Sequence, residues 1–454
     1  MQQRFFQTQK YIYSFIPKTE AQKFPGEIGL RRMEELLSYL GNPQDKFKSI
    51  HIAGTSGKGS TSYLISKIMR ETGLKVGLHT SPHLQTMRER IQVNGQIIGE
   101  AEFVKLIEEI KPAIKKVESG IYGKSSFYEV LLAASFYYFA KNKVELAVIE
   151  TGLGGRIDGT NVLKSTVAVI TNVGLDHTEV LGKTKELILK DKMHIIKSSC
   201  KFALTGITQK KYLRIFNNHC QTVGVPLCSL DLDFKLENQV FEKDFSSFDF
   251  TIDTKKIKEI KLSMSGVYPA NNACLAIASC LKYAKVTNSV IKKDQIKKAL
   301  SSSFFPGRME VISKKPLIIL DGAHNEDKMN ALIKSIKQLY KNQQFVVVFA
   351  VKKDKDASKM LKQLNGISKK IVITQFKTRT DLGEKVNYSL KKLFDLAKQK
   401  MQNKDVCCEK DSFQAYRKAK KMALSSNSAV LVTGSLYLVG EIRQAIKLKA
   451  SSGS

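Results

Sequence analysis

Residues 51–62 read HIAGTSGKGSTS, in which glycines, one lysine and small hydroxylated residues directly follow an apolar run. Glycines allow backbone N–H groups to turn inward around phosphate oxygens, and a helix that begins there offers its N-terminus to the same anion. The spacing departs from the common G-x-x-x-x-G-K-[ST] pattern, because Gly59 separates Lys58 from Ser60. The stretch therefore predicts a strand, a variant phosphate loop and a helix.

The predicted loop offers both a cation and hydroxyl groups to a nucleotide. Lys58 can reach the β- and γ-phosphates, and a hydroxyl of Ser60 or Thr61 can hold phosphate or magnesium. A plain glycine-rich turn is the alternative, and the predicted strand and helix on either side favour the phosphate loop. The loop residues are Gly54, Thr55, Ser56, Gly57, Lys58, Gly59 and Ser60.

Short β-rich runs alternate with amphipathic helices on both sides of this loop. A helix is predicted over 60–72, and strands are predicted over 49–53, 76–80, 145–150, 166–172, 316–322, 344–351, 370–376 and 429–434. Nearly continuous apolar strands separated by helices indicate parallel sheets covered on both faces, which is an α/β fold. The polar stretch SSSFFPGR, with Pro306 and Gly307, predicts a break between two domains, 1–303 and 304–454.

Length and composition exclude several classes of protein. The chain has 454 residues, enough for two or three domains. Its most apolar run, residues 130–140, is too short to span a bilayer, and the first residues lack a signal-type apolar segment, so we expect a cytoplasmic protein without membrane contact. Seven cysteines without C-x-x-C spacing argue against a zinc site or a disulfide framework.

The formal net charge of +32 is the most unusual bulk property. Such a charge can indicate nucleic-acid binding. The lysines are spread along the chain, however, and no zinc finger or RNA-binding aromatic signature accompanies them. We therefore expect solvated lysine-rich faces and no nucleic-acid partner, with a positive field that attracts polyanionic small substrates.

Polar residues follow several of the predicted strands, at the edge where ligands bind in open α/β sheets. Ser81 follows the second strand, Glu150 ends the third, and Asp176 and His177 follow the fourth. A carboxylate at a buried strand end is costly unless it meets a cation. Each residue alone is more often structural. Together beside a phosphate loop, Ser81, Glu150 and His177 predict ligands of one magnesium ion that bridges phosphates.

A second group of candidate residues lies beyond residue 303. Arg308 can pair with phosphate as a planar fork, and Asp321 and His324 follow a predicted strand. His324 could instead be a loop histidine with a purely structural hydrogen bond. Lys192 lies in a predicted helix, where a lysine is ordinarily a solvated charge.

Taken together, these residues resemble the folylpolyglutamate synthase/dihydrofolate synthase family of the Mur ligase superfamily. The resemblance covers nearly the whole chain, and its specific parts are the sequences TSPHL, GLGGR-x-D-x-TN, GLDHT and DGAHN. The other matching segments are GLRRM at 29–33, LGNPQ at 40–44, HIAGTSGKGS at 51–60, RERIQVNG at 88–95, NNACLA at 271–276, PGRMEV at 306–311 and VTGSLYLVGE at 432–441.

The resemblance implies both an architecture and a reaction. Residues 1–303 would form a P-loop-type Mur ligase ATP-binding domain with a mainly parallel sheet, and 304–454 a smaller Rossmann-like glutamate-ligase domain. The γ-phosphoryl group of ATP would move to a carboxylate, and the amine of L-glutamate would attack the acyl phosphate. The implied acceptor is dihydropteroate or a reduced folate, the implied cofactor is Mg²⁺, in two ions, and the implied state is a monomer.

The resemblance also assigns roles to individual residues. Lys58 and Lys192 would be catalytic, and Lys192 would correspond to the family's carbamylated lysine, a ligand of the second magnesium. Arg308, Asp321 and Asn272 would lie on the ATP side, His324 and Asp321 would serve catalysis on the glutamate side, and Arg90 would contact a substrate carboxylate. His324 would also bind substrate.

The sequence departs from the family pattern around Lys192. Asp191 stands where the family usually has glutamate, and Met193 and His194 replace alanine and glycine. Ser56 replaces the more usual asparagine. Two alternatives stay open: another Mur-type ligase with a different carboxylate acceptor, and a nucleic-acid-binding ATPase suggested only by the charge. With the active site expected between the two domains, closure on substrates is a further hypothesis.

Overall fold

A computed structural model describes residues 2–18, 25–377, 387–401 and 404–451 of the chain, with the side chains up to residue 446. The described chain divides into two compact units. The first comprises Met1–Ser263 and Val267–Ser303, and the second comprises Met264–Gly266 and Phe304–Ser454. Within the described residues, no helix is long and apolar enough to cross a membrane.

The first unit is an α/β structure with one large sheet and one small sheet. Its helices are α1 (Gln2–Tyr13), α2 (Glu27–Tyr39), α3 (Lys58–Arg70), α4 (Glu100–Glu118), α5 (Phe127–Lys141), α6 (Thr178–Leu181), α7 (Lys185–Met193), α8 (Lys210–Thr222), α9 (Val267–Val286) and α10 (Lys293–Ser301). Its strands are β1 (Lys48–Ala53), β2 (Val76–His79), β3 (Gln92–Val93), β4 (Gln96–Ile97), β5 (Leu146–Glu150), β6 (Val167–Ile170), β7 (Phe202–Thr205), β8 (Leu227–Ser229), β9 (Phe234–Phe241), β10 (Ser246–Ile252) and β11 (Lys255–Leu262). Short 3₁₀ helices span Pro43–Lys46, Met87–Arg90 and Gly159–Val162.

The large sheet has the strand order β4-β3-β2-β5-β1-β6-β7-β8. All pairs from β2 to β8 are parallel, and only the two short strands β3 and β4 pair in the antiparallel direction. The central strands β5 and β6 are buried along their whole length, as continuous runs of Val, Ile, Leu and Ala require when helices cover both faces. One core contains α1, α2, α4 and α5, and another contains α7 and α8.

The small sheet is a three-stranded antiparallel meander with the order β11-β10-β9. Its last strand, KKIKEIKL, buries only Ile257, Ile260 and Leu262. The lysines on the other face of this edge strand stay in solvent and hinder further strand pairing. The sequence analysis did not predict this sheet, because charged residues interrupt the apolar runs that identified the other strands.

The second unit is a six-stranded sheet with helices. Its elements are β12 (Glu310–Lys314), β13 (Leu317–Leu320), α11 (Glu326–Leu339), β14 (Phe345–Phe349), α12 (Ala357–Asn365), β15 (Ser368–Ile373), α13 (Leu390–Lys400), β16 (Asp405–Cys408), α14 (Ser412–Ser425), β17 (Ala429–Thr433) and α15 (Leu436–Ser451). The strand order is β12-β13-β17-β14-β15-β16, and every pair is parallel except β12 with β13.

The predicted α/β class with mainly parallel sheets is confirmed, and the predicted strands are present with ends that differ by one to three residues. The helix predicted over 60–72 spans Lys58–Arg70 instead. It begins earlier because Gly57, with φ 80°, turns the chain directly into the helix, so that Lys58 is its first residue. All seven cysteines are free thiols, and five of them are buried.

Candidate active site

The functional residues predicted in the first unit lie along one edge of the large sheet. Four neighbouring parallel strands, in the order β2-β5-β1-β6, end at the same edge. Ser81 follows β2, Glu150 ends β5, the loop from Gly54 follows β1, and His177 lies in the segment after β6. Since ligands bind beyond the carboxyl ends of parallel strands, the topology alone places these four groups at one ligand edge.

The phosphate loop requires two of its glycines. Gly54 has φ 149°, and a Cβ atom there would lie 1.9 Å from Oγ1 of Thr171. Gly57 has φ 80°, and a Cβ atom there would lie 2.6 Å from Oδ1 of Asn272, a residue of α9. Both positions therefore exclude larger residues for two reasons, backbone conformation and close packing. The structure thus places Asn272 against the loop that the sequence analysis assigned to ATP.

The segment after β6 holds this loop through side chains. Thr171 donates its hydroxyl proton to the carbonyl of Ser56, with 2.6 Å between the oxygens. Oδ1 of Asn172 accepts the N–H groups of Thr55 and Ser56 at 3.2 and 2.8 Å. The Thr55 hydroxyl accepts the N–H of Gly174 at 3.0 Å and lies 3.2 Å from the same residue's carbonyl. The shape of the loop is therefore imposed by the neighbouring strand.

The helix that follows the loop presents buried hydroxyl groups in its first turn. Gly59 and Ser60 are residues of α3, and Ser60 and Thr61 are buried. Among the described residues, the hydroxyls of Ser56 and Thr61 have no hydrogen-bond partner. Buried polar groups are ordinarily hydrogen-bonded, so these hydroxyls suit a polar ligand such as phosphate.

Glu150 is a buried carboxylate at the centre of the ligand edge, with 4% of its surface exposed. Its Oε2 accepts the backbone N–H of Ser81 at 3.1 Å, and its Oε1 lies 3.9 Å from the ammonium of Lys58. Lys58 also donates to the carbonyl of Gly54 at 3.2 Å. A buried carboxylate needs a cation nearby, and here the loop lysine is that cation. The ends of β2 and β5 are thus tied together as well.

Lys192 lies in the last turn of α7 and is only 4% exposed. Burial, and then repulsion from Lys58, lowers the pKa of Lys192 to about 7, although Asp191, Asp176 and Asp158 act in the opposite direction. Among the described residues, no carboxylate lies within ion-pair distance of its amine. A lysine in this setting is neutral for much of the time near neutral pH and can react as a nucleophile.

Asp191 explains how α7 is fixed against the glycine-rich loop. Its Oδ1 accepts the N–H groups of Gly155 and Arg156 at 2.8 and 3.4 Å, and its Oδ2 lies 3.8 Å from the Arg156 guanidinium. The aspartate that departs from the family pattern therefore has a structural task. His194 points elsewhere, since it is exposed and its Nδ1 lies 2.8 Å from the carbonyl of Lys190.

His177 directly precedes α6 and has φ 50°, a left-handed conformation that is uncommon for a residue with a side chain. Its ring nitrogens lie 3.9 Å from Asp176 and 3.8 Å from Glu179. The imidazole is partly exposed, so it is open to a ligand at the strand edge.

A buried hydrogen-bond network centred on Asp158 supports the glycine-rich loop 151–161. Its Oδ1 accepts protons from the hydroxyls of Thr160 and Tyr128 at 2.6 and 3.0 Å, and its Oδ2 accepts the N–H of Leu153 at 2.7 Å. Because Thr160 gives its proton to Asp158, the Nε2–H of His51 must be the donor across the 2.8 Å to that hydroxyl. Burial, and then Asp158, raises the pKa of Tyr128 well above its ordinary value.

Arg90, predicted to contact a substrate carboxylate, is fully buried. Its Nε–H donates to Nδ1 of His83 at 3.1 Å, and its guanidinium lies over the ring of Phe127, 5.3 Å from the centroid. The hydrogen bond fixes the proton of a neutral His83 on Nε2. The structure thus joins Arg90 to the TSPHL segment, and its contact with substrate stays a prediction.

The residues predicted in the second unit form one local cluster at the ends of β12 and β13. Asp321 is buried, and its two oxygens accept the N–H groups of Met309 and Ala323, both at 2.8 Å. Nδ1 of His324 lies 2.8 Å from the carbonyl of Gly322. Asp321 therefore holds the segment of Arg308 and the segment of His324 beside each other, and its part in catalysis stays a prediction.

Comparison with known proteins identifies the family. The family model for the Mur ligase middle domain matches residues 52–280, and that for the C-terminal domain of dihydrofolate synthetase matches 308–447. The dihydrofolate synthase/folylpolyglutamate synthase of Bacillus subtilis is 34% identical over 94% of this chain and 96% of its own length. The folylpolyglutamate synthase of Lacticaseibacillus casei is 31% identical over 97% and 98%. This chain belongs to the folylpolyglutamate synthase/dihydrofolate synthase family.

Solved structures agree with this assignment. Folylpolyglutamate synthase of Mycobacterium tuberculosis complexed with ADP superimposes with a TM-score of 0.89 at 26% identity, over 97% of this chain and 98% of the other. An FPGS–AMPPCP–folate complex superimposes with a TM-score of 0.82 at 30% identity, over 97% and 99%. The resemblance inferred from the motifs is therefore confirmed over nearly the whole chain.

The sequence analysis missed the residues that support the family's motifs. Thr171 and Asn172 are the last two residues of the strand predicted over 166–172, and two polar residues at the end of an apolar strand were the signal that could have identified them. Asp158 lies in the segment GLGGR-x-D-x-TN, but its partner Tyr128 carried no such signal, because their contact joins segments 30 residues apart. The same is true of the buried pair of Arg32 and Glu129, in which Nε and Nη2 each lie 2.8 Å from a carboxylate oxygen.

Proposed function

We propose that this chain is an ATP-dependent ligase that adds L-glutamate to a folate, either dihydropteroate or a reduced folate, through an acyl phosphate. The observation that carries the proposal is the single edge where the phosphate loop, Lys58, Glu150 and Ser81 lie on neighbouring strands, in a chain of this family. The relatives' names supply the substrates, and the edge supplies the charges that the reaction needs.

The reaction has two steps, and its atoms balance. A carboxylate oxygen of the acceptor attacks the γ-phosphorus, the bond to the bridging oxygen breaks, and ADP leaves with that electron pair. The amine nitrogen of glutamate then attacks the acyl carbon, the bond to phosphate breaks, and a proton is released. ATP, the acceptor and glutamate are all anions, so the protein must cancel charge and align the reacting atoms. Lys58 does this when it turns from Glu150 and Gly54 to the phosphates.

The donor groups at the edge fit magnesium. The hydroxyl of Ser81, the carboxylate of Glu150 and the imidazole of His177 are an oxygen-rich set beside a phosphate loop, and magnesium ordinarily binds through one or two carboxylates together with substrate phosphates. These three residues would hold the first ion, and Lys192 would help to hold the second. Bound magnesium would neutralise charge on the transferring phosphoryl group.

Lys192 suits carbamylation. Its neutral amine can attack carbon dioxide, which forms an N–C bond and releases one proton, and the product is a carbamate anion. A pKa of about 7 leaves a large neutral fraction at neutral pH, and the nearby ammonium of Lys58 stabilises the anion formed. Of the two residues that replace smaller ones beside Lys192, Met193 is buried in the core that contains α7 and α8, and His194 is exposed with its ring directed to the carbonyl of Lys190.

The remaining residues bind and position the substrates. Asn272 and Arg308 bind ATP, and His324 binds the incoming glutamate and takes part in catalysis. Asp321 acts on the ATP side by fixing the segments of Arg308 and His324 through its two backbone hydrogen bonds. Arg90 orients the TSPHL segment and contacts the acceptor carboxylate. The enzyme works as a cytoplasmic monomer without nucleic acid.

The first test measures phosphate release with ATP, magnesium and L-glutamate, with dihydropteroate or tetrahydrofolate as acceptor, and weighs the products by mass spectrometry. We expect an acceptor heavier by one glutamyl residue, and no turnover with Lys58→Ala. The exposed Lys105 of α4 gives the control, because Lys105→Ala removes the same charge away from the edge. Full turnover of Lys58→Ala would contradict the phosphate-loop role. No release with either acceptor would favour a Mur-type ligase with another carboxylate.

A further inference from the structure

The phosphate loop is held by a neighbouring segment to which no role has been assigned. This segment, which we name the β6 clamp, consists of Thr171, Asn172, Val173 and Gly174. It makes hydrogen bonds to both Thr55 and Ser56. Those two residues lie at the middle of the loop, between the glycines at 54 and 57. A change in the clamp therefore acts on the loop through these hydrogen bonds.

We propose that Thr171 and Asn172 are positioning residues for ATP, which set the direction of the backbone N–H and C=O groups of the phosphate loop. Thr171 is buried, and its hydroxyl occupies the space that the missing side chain of Gly54 leaves open. Its proton holds the Ser56 carbonyl toward Thr171. A carbonyl that turned inward would present a negative dipole to the phosphates.

Asn172 holds N–H groups of the loop, whereas Thr171 holds a carbonyl group. A single oxygen, Oδ1, accepts two consecutive N–H groups of the loop. These two contacts select one backbone conformation at Thr55 and Ser56, so the remaining donors of the loop and of the first turn of α3 are presented to the ligand in one arrangement. Preorganised donors bind an anion more tightly, because binding then costs less loop ordering.

The clamp also links two parts of the proposed site. His177 follows Asn172 by five residues in the same segment, and Gly174 between them is bonded to the Thr55 hydroxyl through its N–H. The position of His177 along the edge is therefore set by the same contacts that shape the loop. This inference rests on the proposed nucleotide-binding function, although it does not depend on which acceptor or amino acid the enzyme uses.

Two substitutions at Thr171 separate the hydroxyl from the rest of the side chain. Thr171→Val keeps the shape and removes the proton donor, whereas Thr171→Ser keeps the donor. We expect Thr171→Val to weaken ADP binding about tenfold, since the partly buried carbonyl of Ser56 loses its partner and is free to turn. We expect Thr171→Ser to bind ADP within about twofold of the wild type, and Asn172→Ala to resemble Thr171→Val.

The matched control is Thr205→Val, one strand further from the loop. The hydroxyl of Thr205 is also buried at a strand end and donates to a backbone carbonyl, that of Ile170, at 2.9 Å. Thr205→Val should lower the melting temperature about as much as Thr171→Val does, without changing the affinity for ADP. A loss of stability alone therefore cannot produce the expected pattern.

The decisive measurement is the dissociation constant of ADP by isothermal titration for the whole chain and its variants. In turnover assays, the KM for ATP should rise in Thr171→Val while the KM for L-glutamate stays the same. Unchanged ADP affinity in Thr171→Val would overturn the proposal, and so would an equal loss in Thr171→Val and Thr171→Ser. If the wild type binds ADP but transfers no glutamate, the proposed ligase function is contradicted. The ADP affinities of the Thr171 and Asn172 variants still test the role of the clamp.

Discussion

The strand ends of the eight-stranded sheet and those of the six-stranded sheet hold their functional side chains in different ways. In the first unit the bonds run from strand to strand: Thr171 and Asn172 after β6 hold the loop after β1, and Glu150 of β5 holds the N–H of Ser81 after β2. In the second unit the bonds of the Asp321 carboxylate are local, because its two oxygens accept the N–H groups of Met309, just before β12, and of Ala323, in the turn after β13.

The two regions also treat buried charge differently. In the second unit, buried Glu310 accepts from Nε of Arg443 at 2.8 Å and from the N–H of Gly307, so the charge is paired. In the first unit, burial beside Lys58 lowers the pKa of Lys192 to about 7. A paired charge stays fixed over the physiological pH range, whereas a buried unpaired lysine can change its state. Chemistry that depends on pH should therefore be concentrated in the first unit.

The largest expected effect is at Lys192. Lys192→Ala removes both the amine and its carbamate, and we expect kcat/KM for glutamate transfer to fall about 100-fold or more, as for the loss of a group that supports a metal ion. Steady-state kinetics with and without added acetate measure the effect. A small carboxylate should restore part of the activity, because it can take the place of the carbamate.

The exposed Lys190 of the same helix provides the control for this variant. Lys190→Ala removes an equal charge two residues away and should keep wild-type kinetics. Full activity of Lys192→Ala at saturating magnesium would exclude the second-metal role. It would also show that the unpaired buried charge of the first unit does not matter for catalysis.

The difference between cross-strand and local bonds is tested by Asp321→Asn. The amide of asparagine has one acceptor oxygen, and its NH₂ group would face one of the two backbone N–H groups that Asp321 accepts. One of the two hydrogen bonds that hold the segments of Arg308 and His324 together is therefore lost. We expect kcat/KM to fall about tenfold, with a matching rise in KM for ATP. The nucleotide dependence of turnover measures this.

Asp411→Asn is the matched control, since Asp411 also accepts two backbone N–H groups in the second unit, those of Phe413 and Gln414. It caps a helix away from the cluster of Asp321. Kinetics like the wild type in Asp411→Asn and a selective loss in Asp321→Asn would confirm the positioning role. An equal loss in both variants would reduce the role of Asp321 to general stability.

Local sequence patterns predicted most of the fold and the first layer of the candidate site. Apolar runs identified the strands of both large sheets, and polar residues directly after them identified Glu150, Ser81 and His177 at one edge. The antiparallel sheet of 234–262 was not predicted, because its last strand carries lysines on the face that stays in solvent.

The supporting contacts could not be read from the sequence, for a physical reason. Hydrogen bonds such as those of Asn172 to Ser56, or of Tyr128 to Asp158, join residues that only the folded structure brings together. The burial of an individual polar side chain cannot be predicted from the sequence either. Nothing in the sequence indicated that Arg90, whose contact with a substrate carboxylate stays a prediction, is fully buried beside His83 and Phe127. Spacing along the chain predicts which groups share an edge, and packing decides which of them face the ligand.

The smallest expected effect concerns His51, a buried group behind the first unit's ligand edge. Burial, and then Lys197, lowers the pKa of His51 from 6.5 to about 3. Below about pH 6.5 the unfolded chain binds a proton that the folded chain does not, so stability falls as the pH falls. Between about pH 7 and 5.5 this group should remove ~1.3 kcal/mol from the free energy of opening of β1.

Hydrogen exchange followed by mass spectrometry checks this prediction unit by unit, with rates corrected for the pH dependence of intrinsic exchange. His51→Gln cannot take up the proton and can still donate to Thr160, so it should lose less protection in β1 and β6 over the same pH range. Strands β14 and β17 of the second unit should change equally in the variant and the wild type. Equal acid sensitivity of β1 in both proteins would show that the neutral imidazole of His51 does not cause the pH dependence of stability in the first unit. Lys192 would then be the one group that supports the proposed difference in pH dependence between the two units.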